Sequence, residues 1–437
     1  MADLKQLACK IFFETLGAIN IPAAMQRKIP RNGTVLTLDA LTIDVAIFRR
    51  VCVIAMGKAA HAMLMGLKAI LPENIAIEGL VSAPTPPSSP LPGLRYFVGG
   101  HPAPNAQSLE AARAILELLK TAGPDTLVFF LVSGGGSALV ELPQDPAQTL
   151  EDVQSVFRTL VTCGASIDEI NVVRKHLSAV KGGRLAEAAP DATKITIAVS
   201  DVPAGKESAL ASGPTLADPS TIEDCRRVIA AYGLEPKFPA ALQRWLTEGK
   251  LCETPKPGST ALASTHFCLL LGMDDLFHPA HRAAEAKGCI AACDNTTDDW
   301  PLDRAADYLL AQIEEMRRNT YGRRVALIAD GELRSPVKGN GMGGRNSAFV
   351  LECVKKIADK PIAVLSAGTD GIDGNSPAAG AVADGDTLAR AQAAGLDLAS
   401  AAQKSDAFTF FAALDDAIIT GPTGTNLRDL RILVADP

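Results

Sequence analysis

Short apolar runs alternate along the chain with segments whose apolar residues recur at helical spacing. A run without a polar face indicates a strand buried on both sides, and helical spacing indicates an amphipathic helix. In the first half, the predicted strands lie at 51–55, 77–82, 95–98, 126–132 and 194–199, and the predicted helices at 58–69, 107–120, 150–163 and 167–177. This alternation predicts an α/β fold built on a doubly wound parallel sheet.

The same alternation returns in the second half. Its predicted strands lie at 324–329, 361–366 and 430–434, and its predicted helices at 345–357 and 386–394. Residues 221–258, between the two halves, are helical at first and then rich in Lys, Pro and Gly, which is typical of a boundary. We therefore predict two domains, residues 1–235 and residues 236–437.

Composition and charge narrow the class of protein. Of the 437 residues, 47% are hydrophobic and 21% are charged, which is the balance of a globular protein. The formal net charge of -7 disfavours nucleic acid as a partner. The nine scattered cysteines favour free thiols over a disulfide framework. Because no apolar run approaches roughly 18 residues and no signal-peptide pattern is present, we expect a cytoplasmic protein without a membrane partner.

Two clusters of the first half directly follow predicted strands, where open parallel sheets bind their ligands. Ser133 to Ser137 enclose three consecutive glycines, Gly134, Gly135 and Gly136, whose N–H groups can approach a phosphate or carboxylate closely. A plain strand-to-helix turn is the alternative. Lys58 opens a helix after another strand, and its ammonium suits phosphoryl oxygens. The two clusters together predict an anion site.

Residues 171–184 contain five basic side chains, the densest basic stretch of this acidic chain. Asn171, Arg174 and Lys175 share one face of the predicted helix and could bind a carboxylate or phosphate. A solvated helix face is the alternative.

Two acidic clusters allow more than one interpretation. Asp201 follows a predicted strand, where a carboxylate can bind Mg²⁺, accept a hydroxyl proton, or cap a helix. Asp370 and Asp373 flank glycine and allow the same roles, although Asp and Gly also build ordinary turns.

The segment Gly339 to Gly344 formally contains the pattern G-x-G-x-x-G. A dinucleotide fingerprint needs a buried strand directly before it, whereas residues 334–338 contain a proline and two cations. A glycine loop that presents Arg345 at the start of a helix is better suited to an anion than to a nicotinamide cofactor.

The order of these clusters resembles the glycerate 2-kinase family whose members carry a C-terminal MOFRL domain. The matching segments are Met56–Ala60, Gly100–Pro104, Ser133–Leu139, Asn171–Leu185, Ser200–Val202, Ala211–Thr215, Gly343–Asn346, Ala367–Gly371 and Thr420–Asn426. Because these segments follow one another through nearly the whole chain, the resemblance is far more specific than any single glycine loop.

The resemblance implies an enzyme that phosphorylates the 2-hydroxyl of D-glycerate with ATP and Mg²⁺ to give 2-phosphoglycerate. It also implies two unlike three-layer α/β/α domains, the first of them Rossmann-like, with the active site in the cleft between them. Lys58 and Arg345 match positions that look catalytic in the family.

We assign roles to the candidate residues on this basis. Lys58, Arg345 and Asp201 are predicted to be catalytic, and Asp201 and Asp370 to bind the metal. The glycine turn Ser133–Ser137 and Asn346 are predicted to bind ATP, although the residues leave open whether the turn holds phosphate or the glycerate carboxylate. Arg174, Lys175 and Glu332 are predicted to bind substrate.

Two segments depart from the family pattern. Where the family usually has Pro-Gly-Asp, this chain has Pro203-Ala204-Gly205-Lys206, which removes a possible acidic ligand. Where the family tends toward Gly-Gly-Glu, it has Asp330-Gly331-Glu332. The alternatives are an NAD(P)H-dependent hydroxypyruvate reductase and a non-catalytic sugar-acid-binding protein. The sequence does not fix the oligomeric state, and a homo-oligomer is compatible with it.

Overall fold

The computed structural model describes residues 2–200, 202–203 and 205–437. Asp201, a predicted catalytic and metal-binding residue, therefore lies outside the described residues. The chain divides into two compact units. One unit runs from Ile21 to Gly272, and the other joins residues 273–437 to the N-terminal segment that ends at Asn20.

Helix α1 (Ala2–Ala18) belongs to the unit that contains the C-terminal half. Its buried apolar residues are Leu4, Leu7, Ala8, Ile11 and Phe12. This spacing of three and four places all of them on one stripe of the helix. The stripe packs against the C-terminal sheet, so the beginning of the chain completes the core of its end.

The unit of residues 21–272 begins with a helix and a small antiparallel sheet, followed by a six-stranded sheet in which all neighbours are parallel. Its strands are β1 (Arg31–Asn32), β2 (Val35–Leu38), β3 (Leu41–Asp44), β4 (Arg50–Met56), β5 (Glu78–Ala83), β6 (Leu94–Val98), β7 (Thr126–Ser133), β8 (Thr193–Val199) and β9 (Thr265–Leu271). Its helices are α2 (Ile21–Lys28), α3 (Ala60–Ile70), α4 (Ala106–Leu119), α5 (Gly136–Leu139), α6 (Leu150–Thr162), α7 (Ile167–Leu177), α8 (Arg184–Glu187), α9 (Ile222–Ala231) and α10 (Ala240–Thr247).

The strand order of the parallel sheet is β6-β5-β4-β7-β8-β9. Every second residue of β4 belongs to an apolar cluster shared with α4, namely Cys52, Ile54 and Met56. Helix α3 packs against β4, β5 and β7, and its residues are not part of this cluster. The order reverses between β4 and β7, which is the topological switch point of a Rossmann-like sheet. The predicted fold of the first domain is confirmed. Its switch point brings the end of β4 beside the end of β7, where Met56 and Val132 are register partners.

The C-terminal unit has a mixed six-stranded sheet of order β10-β11-β15-β12-β13-β14, in which only β10 and β11 are parallel. Its strands are β10 (Ile290–Cys293), β11 (Val325–Asp330), β12 (Ile362–Gly368), β13 (Gly380–Asp384), β14 (Ala417–Ile418) and β15 (Asp429–Ala435). Its helices after α1 are α11 (Asp274–Ala286), α12 (Leu302–Asn319), α13 (Arg345–Val354), α14 (Thr387–Ala393), α15 (Leu398–Lys404) and α16 (Ala407–Ala413). The two domains are therefore unlike, as expected. The cleft between them stays a prediction.

The division between the units differs from the boundary expected near residue 235. Helix α10 buries Leu242 and Trp245 in one cluster with Val173 of α7 and Val228 of α9. Strand β9 then completes the edge of the parallel sheet beside β8. Residues 236–272 therefore belong to the first unit, because α10 buries apolar side chains there and β9 forms backbone hydrogen bonds with β8.

Among the described residues, no single helix is both long and apolar enough to cross a membrane, although α1 and α2 taken together reach that length and hydropathy.

The position of the division can be tested with two fragments. A fragment of residues 21–272 is expected to unfold in one cooperative thermal transition, because it keeps the whole parallel sheet. A fragment of residues 21–235 should lack this transition, since it loses β9 and exposes the apolar faces of α7 and α9. Circular dichroism melting distinguishes them, and equal cooperativity in both fragments would contradict a division at Gly272.

Candidate active site

The loop after β4 and the turn after β7 interlock at the switch point. The N–H of Lys58 donates to the carbonyl oxygen of Gly134 at 2.9 Å, and the N–H of Ala59 donates to Ser133 Oγ at 3.0 Å. Gly57 has a φ of 121°, and a Cβ there would lie 2.1 Å from Ser133 Oγ. Only glycine allows so close an approach. The interlock holds Lys58 beside the glycine turn.

The glycine turn also lies against the Lys58 side chain. Gly135 has a left-handed φ of 83°, and a Cβ on it would lie 3.4 Å from Lys58 Cγ and 3.0 Å from His101 Cδ2. Within the described part of the chain, the N–H groups of Gly135, Gly136 and Ser137 donate to no protein acceptor. N–H groups left open next to a lysine form an arrangement suited to an anion.

His101 is a neighbour of this turn to which sequence reasoning assigned no role. The residue is exposed to solvent. Desolvation by surrounding protein atoms and the positive charge of Lys58 lower the pKa of His101 below its usual value. The imidazole beside Lys58 therefore binds a proton less readily than an ordinary histidine. The only sequence signal for it is its place in the Gly100–Pro104 motif.

A buried ion pair supports the glycine turn from behind. Lys181 Nζ donates to the carbonyl oxygen of Ser137 at 2.9 Å and to Glu141 Oε2 at 2.5 Å. Glu141 also accepts from Ser178 Oγ at 2.6 Å, and both charged side chains are buried. Lys181 is one of the five basic residues of the 171–184 segment, and the structure gives its ammonium the task of fixing the turn.

Lys175, a predicted substrate ligand, also lies in a buried ion pair. Its Nζ is 3.2 Å from Asp218 Oδ1, and both side chains are buried. The Asp218 carboxylate accepts further hydrogen bonds from Ser220 and Thr254. The ammonium of Lys175 is thus held inside the protein by a carboxylate that is itself fully hydrogen-bonded.

Arg174 has a different environment from its neighbour. Its guanidinium lies 4.8 Å from the ring centre of Phe157, and it forms no hydrogen bond or ion pair with another described residue. Burial lowers the pKa of Arg174, and the charge of Glu141 opposes that shift. The side chain lines a small pocket that also contains Glu141, Gln148 and Ser178. Among the described residues, Arg174 is therefore a partly buried cation that forms no ion pair or hydrogen bond with a carboxylate.

In the C-terminal unit, Arg345 begins helix α13 and is held by two carboxylates. Its Nε donates to Asp429 Oδ2, and its Nη1 lies 2.9 Å from Glu332 Oε2. Burial alone would lower the pKa of Arg345, but its hydrogen bond to Asp429 and the negative charges of Asp429 and Glu332 raise it. Arg345 therefore stays charged, and Glu332, a predicted substrate ligand, is one of its partners.

Asn346, predicted to bind nucleotide, is buried one residue further along α13. Its Oδ1 accepts from Ser366 Oγ at 2.6 Å. Its N–H donates to Asp373, which also accepts from the N–H groups of Gly344 and Ser347. Asp373 is thus the cap of α13, and these bonds fix the glycine loop that presents Arg345.

Asp370 lies just beyond the carboxyl end of β12. Its Oδ1 accepts from the N–H of Ile372 at 3.1 Å, which forms a local turn. Within residues 2–200, 202–203 and 205–437, no group of three or more His, Cys, Asp or Glu side chains is arranged to hold a metal ion.

Asp330, at the end of β11, is a fully buried carboxyl group. Both of its oxygens lack a hydrogen-bond partner in the described structure, and its nearest cation, Arg428 Nη1, is 3.8 Å away. Burial, only partly offset by Arg428 and Arg431, raises the pKa of Asp330 to about 6. This departure from the family pattern thus places a buried carboxyl group without a hydrogen bond among the described residues two positions before Glu332, a partner of Arg345.

Fold and local chemistry together define a class of protein: an α/β protein whose parallel sheet carries, at its switch point, a glycine turn and a lysine with the chemistry to hold a small anion. Comparison with known proteins specifies the family. The domain of unknown function DUF4147 matches residues 7–247, and the MOFRL family matches residues 325–429. The chain therefore belongs to the glycerate 2-kinase family that combines these two domains, and the resemblance found in the sequence is confirmed.

The similarity extends over whole chains. The D-glycerate 2-kinase of Thermotoga maritima is 33% identical over 433 residues, which are 98% of each protein. The crystal structure of glycerate kinase from Thermotoga maritima covers 100% of both chains with a TM-score of 0.85 and 32% identity. A relative from Agrobacterium vitis, named provisionally as a hydroxypyruvate reductase, is 36% identical over 398 residues, 88% of this chain and 99% of the relative.

The Lys175–Asp218 pair allows a stability test. Asp218→Ala leaves the ammonium of Lys175 buried without a partner, and loss of one member of a buried pair costs about 3–5 kcal/mol in the free energy of unfolding. The matched control is Asp168→Ala, because Asp168 and Lys206 are paired with 57% and 56% of their side chains exposed. That variant should lose less than about 1 kcal/mol. Urea unfolding measures both, and equally small losses would contradict a structural role for Lys175.

The raised pKa of Asp330 predicts a pH dependence of stability. Because the folded state binds this proton more tightly than the unfolded chain, whose value is near 3.8, the free energy of unfolding should fall as pH rises toward 6 and then level off. Asp330→Asn cannot titrate. As the pH rises through this range, the free energy of unfolding of Asp330→Asn should therefore increase relative to that of the wild type by as much as about 3 kcal/mol. A difference that stays constant between pH 4 and pH 7 in urea unfolding would exclude titration of Asp330 there.

Proposed function

We propose that this protein transfers a phosphoryl group from ATP to the 2-hydroxyl of D-glycerate and forms 2-phosphoglycerate. The observation that carries this proposal is the glycine turn Ser133–Ser137, with Lys58 against it at the switch point, in a chain of the glycerate 2-kinase family. Phosphoryl transfer requires positioning and charge neutralisation more than covalent chemistry. Open N–H groups beside an ammonium supply both.

We assign the phosphate-binding role to Lys58 and the N–H groups of the glycine turn. Arg174 is the proposed partner of the glycerate carboxylate, because its guanidinium has no other anionic contact among the described residues. Lys175 is given a structural role instead, since Asp218 neutralises it inside the protein. Arg345, held in its charged form by Asp429 and Glu332, is proposed to stabilise charge on the phosphoryl group.

Mg²⁺ is proposed to enter with the nucleotide. It prefers oxygen ligands and commonly takes one or two carboxylates together with substrate phosphates. The carboxylate of Asp370, just after β12, has the required donor chemistry, so one described residue fits such an ion. When bound, the ion supplies positive charge to the phosphate oxygens, while the chain's own cations position the substrates.

We further propose a cytoplasmic location. All nine cysteines are free thiols, and five of them are buried. Free thiols persist in a reducing compartment, which supports this location.

The reductase alternative deserves a direct test because of the name of the Agrobacterium vitis relative. The G-x-G-x-x-G segment at 339–344 is separated from β11 by residues 331–338, so it does not form the strand-to-helix turn of a dinucleotide site. The geometry therefore favours the kinase.

Two substitutions test the proposed cations. Lys58→Ala and Arg345→Ala should each lower kcat for ATP-dependent phosphorylation of D-glycerate by about a hundredfold or more, because each removes charge that offsets the transferring phosphoryl group. A coupled assay of ADP release measures this. Lys68→Ala on helix α3, which follows Lys58, and Arg318→Ala on α12 are the matched controls.

Near-wild-type turnover in both variants would remove Lys58 and Arg345 from the chemistry. A wild-type protein that oxidises NADH with hydroxypyruvate, and releases no ADP with D-glycerate, would instead favour the reductase. Binding of D-glycerate without either turnover would favour a non-catalytic protein.

A further inference from the structure

A strained turn packs against the glycine turn. The φ values of Ala211, Ser212 and Gly213 are 49°, 59° and 60°. Residues other than glycine rarely adopt this left-handed conformation, and three in succession are unusual. Ala211 is in contact with Gly136, where an added Cβ would lie 2.9 Å from the Ala211 Cβ. Such strain persists only where the surrounding structure enforces it, and it is concentrated at functional sites.

Neighbouring backbone enforces this conformation. The N–H of Gly182 donates to the carbonyl oxygen of Ser212 at 3.1 Å, and the N–H of Gly183 donates to that of Gly213 at 2.8 Å. Ser212 is almost completely buried. The strained turn therefore fixes one side chain, the Ser212 hydroxyl, within reach of the glycine turn.

The hydroxyl of Ser212 connects two other side chains. It donates to Asn171 Oδ1 at 2.9 Å, and its Oγ lies 3.0 Å from Ser137 Oγ. A hydroxyl has one proton, and an amide oxygen can only accept. Because the proton of Ser212 is used on Asn171, Ser137 must donate its own proton to Ser212.

We call this direction of donation, from Ser137 to Ser212 to Asn171, the polarity of the chain of hydrogen bonds. Because the Ser137 hydroxyl has already donated its proton, it can only accept a further hydrogen bond. Asn171 and Ser212 are buried, whereas Ser137 is partly accessible. The oxygen lone pairs of Ser137 are therefore the part of this chain of hydrogen bonds that a ligand can reach. A ligand atom that contacts them must carry a proton, and a carbonyl oxygen at the same position would meet another acceptor.

We propose that Ser137 Oγ accepts a hydrogen bond from the 2-hydroxyl of the acceptor substrate, and that Asn171 and Ser212 are positioning residues that set its polarity. This inference rests on the proposed function and adds a basis for specificity. A site built to bond a hydroxyl disfavours the analogue that lacks it, because the buried polar group is left unpaired. Ser137 would thus select 2-hydroxy acids over 2-oxo acids.

The first test uses D-lactate and pyruvate, which differ only at carbon 2, as competitive inhibitors of D-glycerate phosphorylation. The wild-type enzyme should bind D-lactate about tenfold more tightly than pyruvate. Ser137→Ala should bring the ratio of the two inhibition constants close to one. A purely structural role of Ser137 would weaken both inhibitors equally and leave the ratio unchanged, which would overturn the inference.

Variants of Asn171 test the polarity itself. Asn171→Asp keeps an acceptor for Ser212, so the preference for D-lactate should persist. Asn171→Leu frees the proton of Ser212 to turn toward Ser137, which can then donate to a ligand, so the preference should fall or reverse. Ala211→Gly relieves the neighbouring strain without touching a hydroxyl and should keep the wild-type ratio. An unchanged ratio in Asn171→Leu would contradict the proposed chain of hydrogen bonds.

A neutron crystal structure of the wild-type protein in D₂O tests the polarity without any variant or substrate. The deuteron of Ser137 should lie between Ser137 Oγ and Ser212 Oγ, and a deuteron on the far side of Ser137 would overturn the inference.

If the enzyme phosphorylates D-glycerate but Ser137→Ala leaves the ratio of the two inhibition constants unchanged, the inference about Ser137 fails and the proposed function stands. If it neither phosphorylates nor binds D-glycerate, the proposed function fails together with the assigned ligand, whereas the deuteron position still decides the polarity.

Discussion

The close approach of two loops at the switch point determines what the first domain can bind. Gly57 lies against Ser133, and the backbone N–H of Lys58 donates to Gly134. Because β4 and β7 are neighbouring parallel strands, both loops emerge at the same edge of the sheet. A side chain at Gly57 would separate them, and Lys58 would no longer lie beside the open N–H groups of the turn. The position of Lys58 beside the glycine turn is therefore a consequence of strand order combined with one glycine.

Buried charges give this geometry its rigidity. Lys181 holds the carbonyl oxygen of Ser137 while Glu141 neutralises it, and Asp218 does the same for Lys175. An ammonium without such a partner would be costly to bury. Arg174 departs from this pattern, since its guanidinium lies over an aromatic ring and has no ion-pair partner among the described residues. Within one basic segment, Lys175 and Lys181 are thus paired with carboxylates, whereas Arg174 is the cation proposed to meet a ligand.

The C-terminal unit uses charge differently. Carboxylates surround Arg345 and keep it protonated, while Asp373 fixes the loop that carries it by accepting hydrogen bonds at the start of α13. Asp330 in the same unit is an exception, because no hydrogen bond from a described residue supports its buried carboxylate. The proposed phosphoryl-transfer function draws on one feature of each unit, the open N–H groups of the glycine turn and the arginine held by carboxylates.

Apolar periodicity in the sequence determined β4, β7, β8, β11, β12 and β15, since a strand buried on both faces needs a continuous apolar run. It also placed the glycine turn, Lys58 and Arg345 at the ends of elements. Seven strands were missed, namely β1, β2, β3, β9, β10, β13 and β14. Of these, β9 is a partly exposed edge, and β13 is short and built largely from small residues. Tertiary structure alone decided the division at Gly272 and the partners of Lys175 and Lys181, which lie 43 and 40 residues away along the chain. Ion pairs and hydrogen bonds depend on distance in space, and no local pattern in the sequence records which carboxylate the fold will bring to a given ammonium.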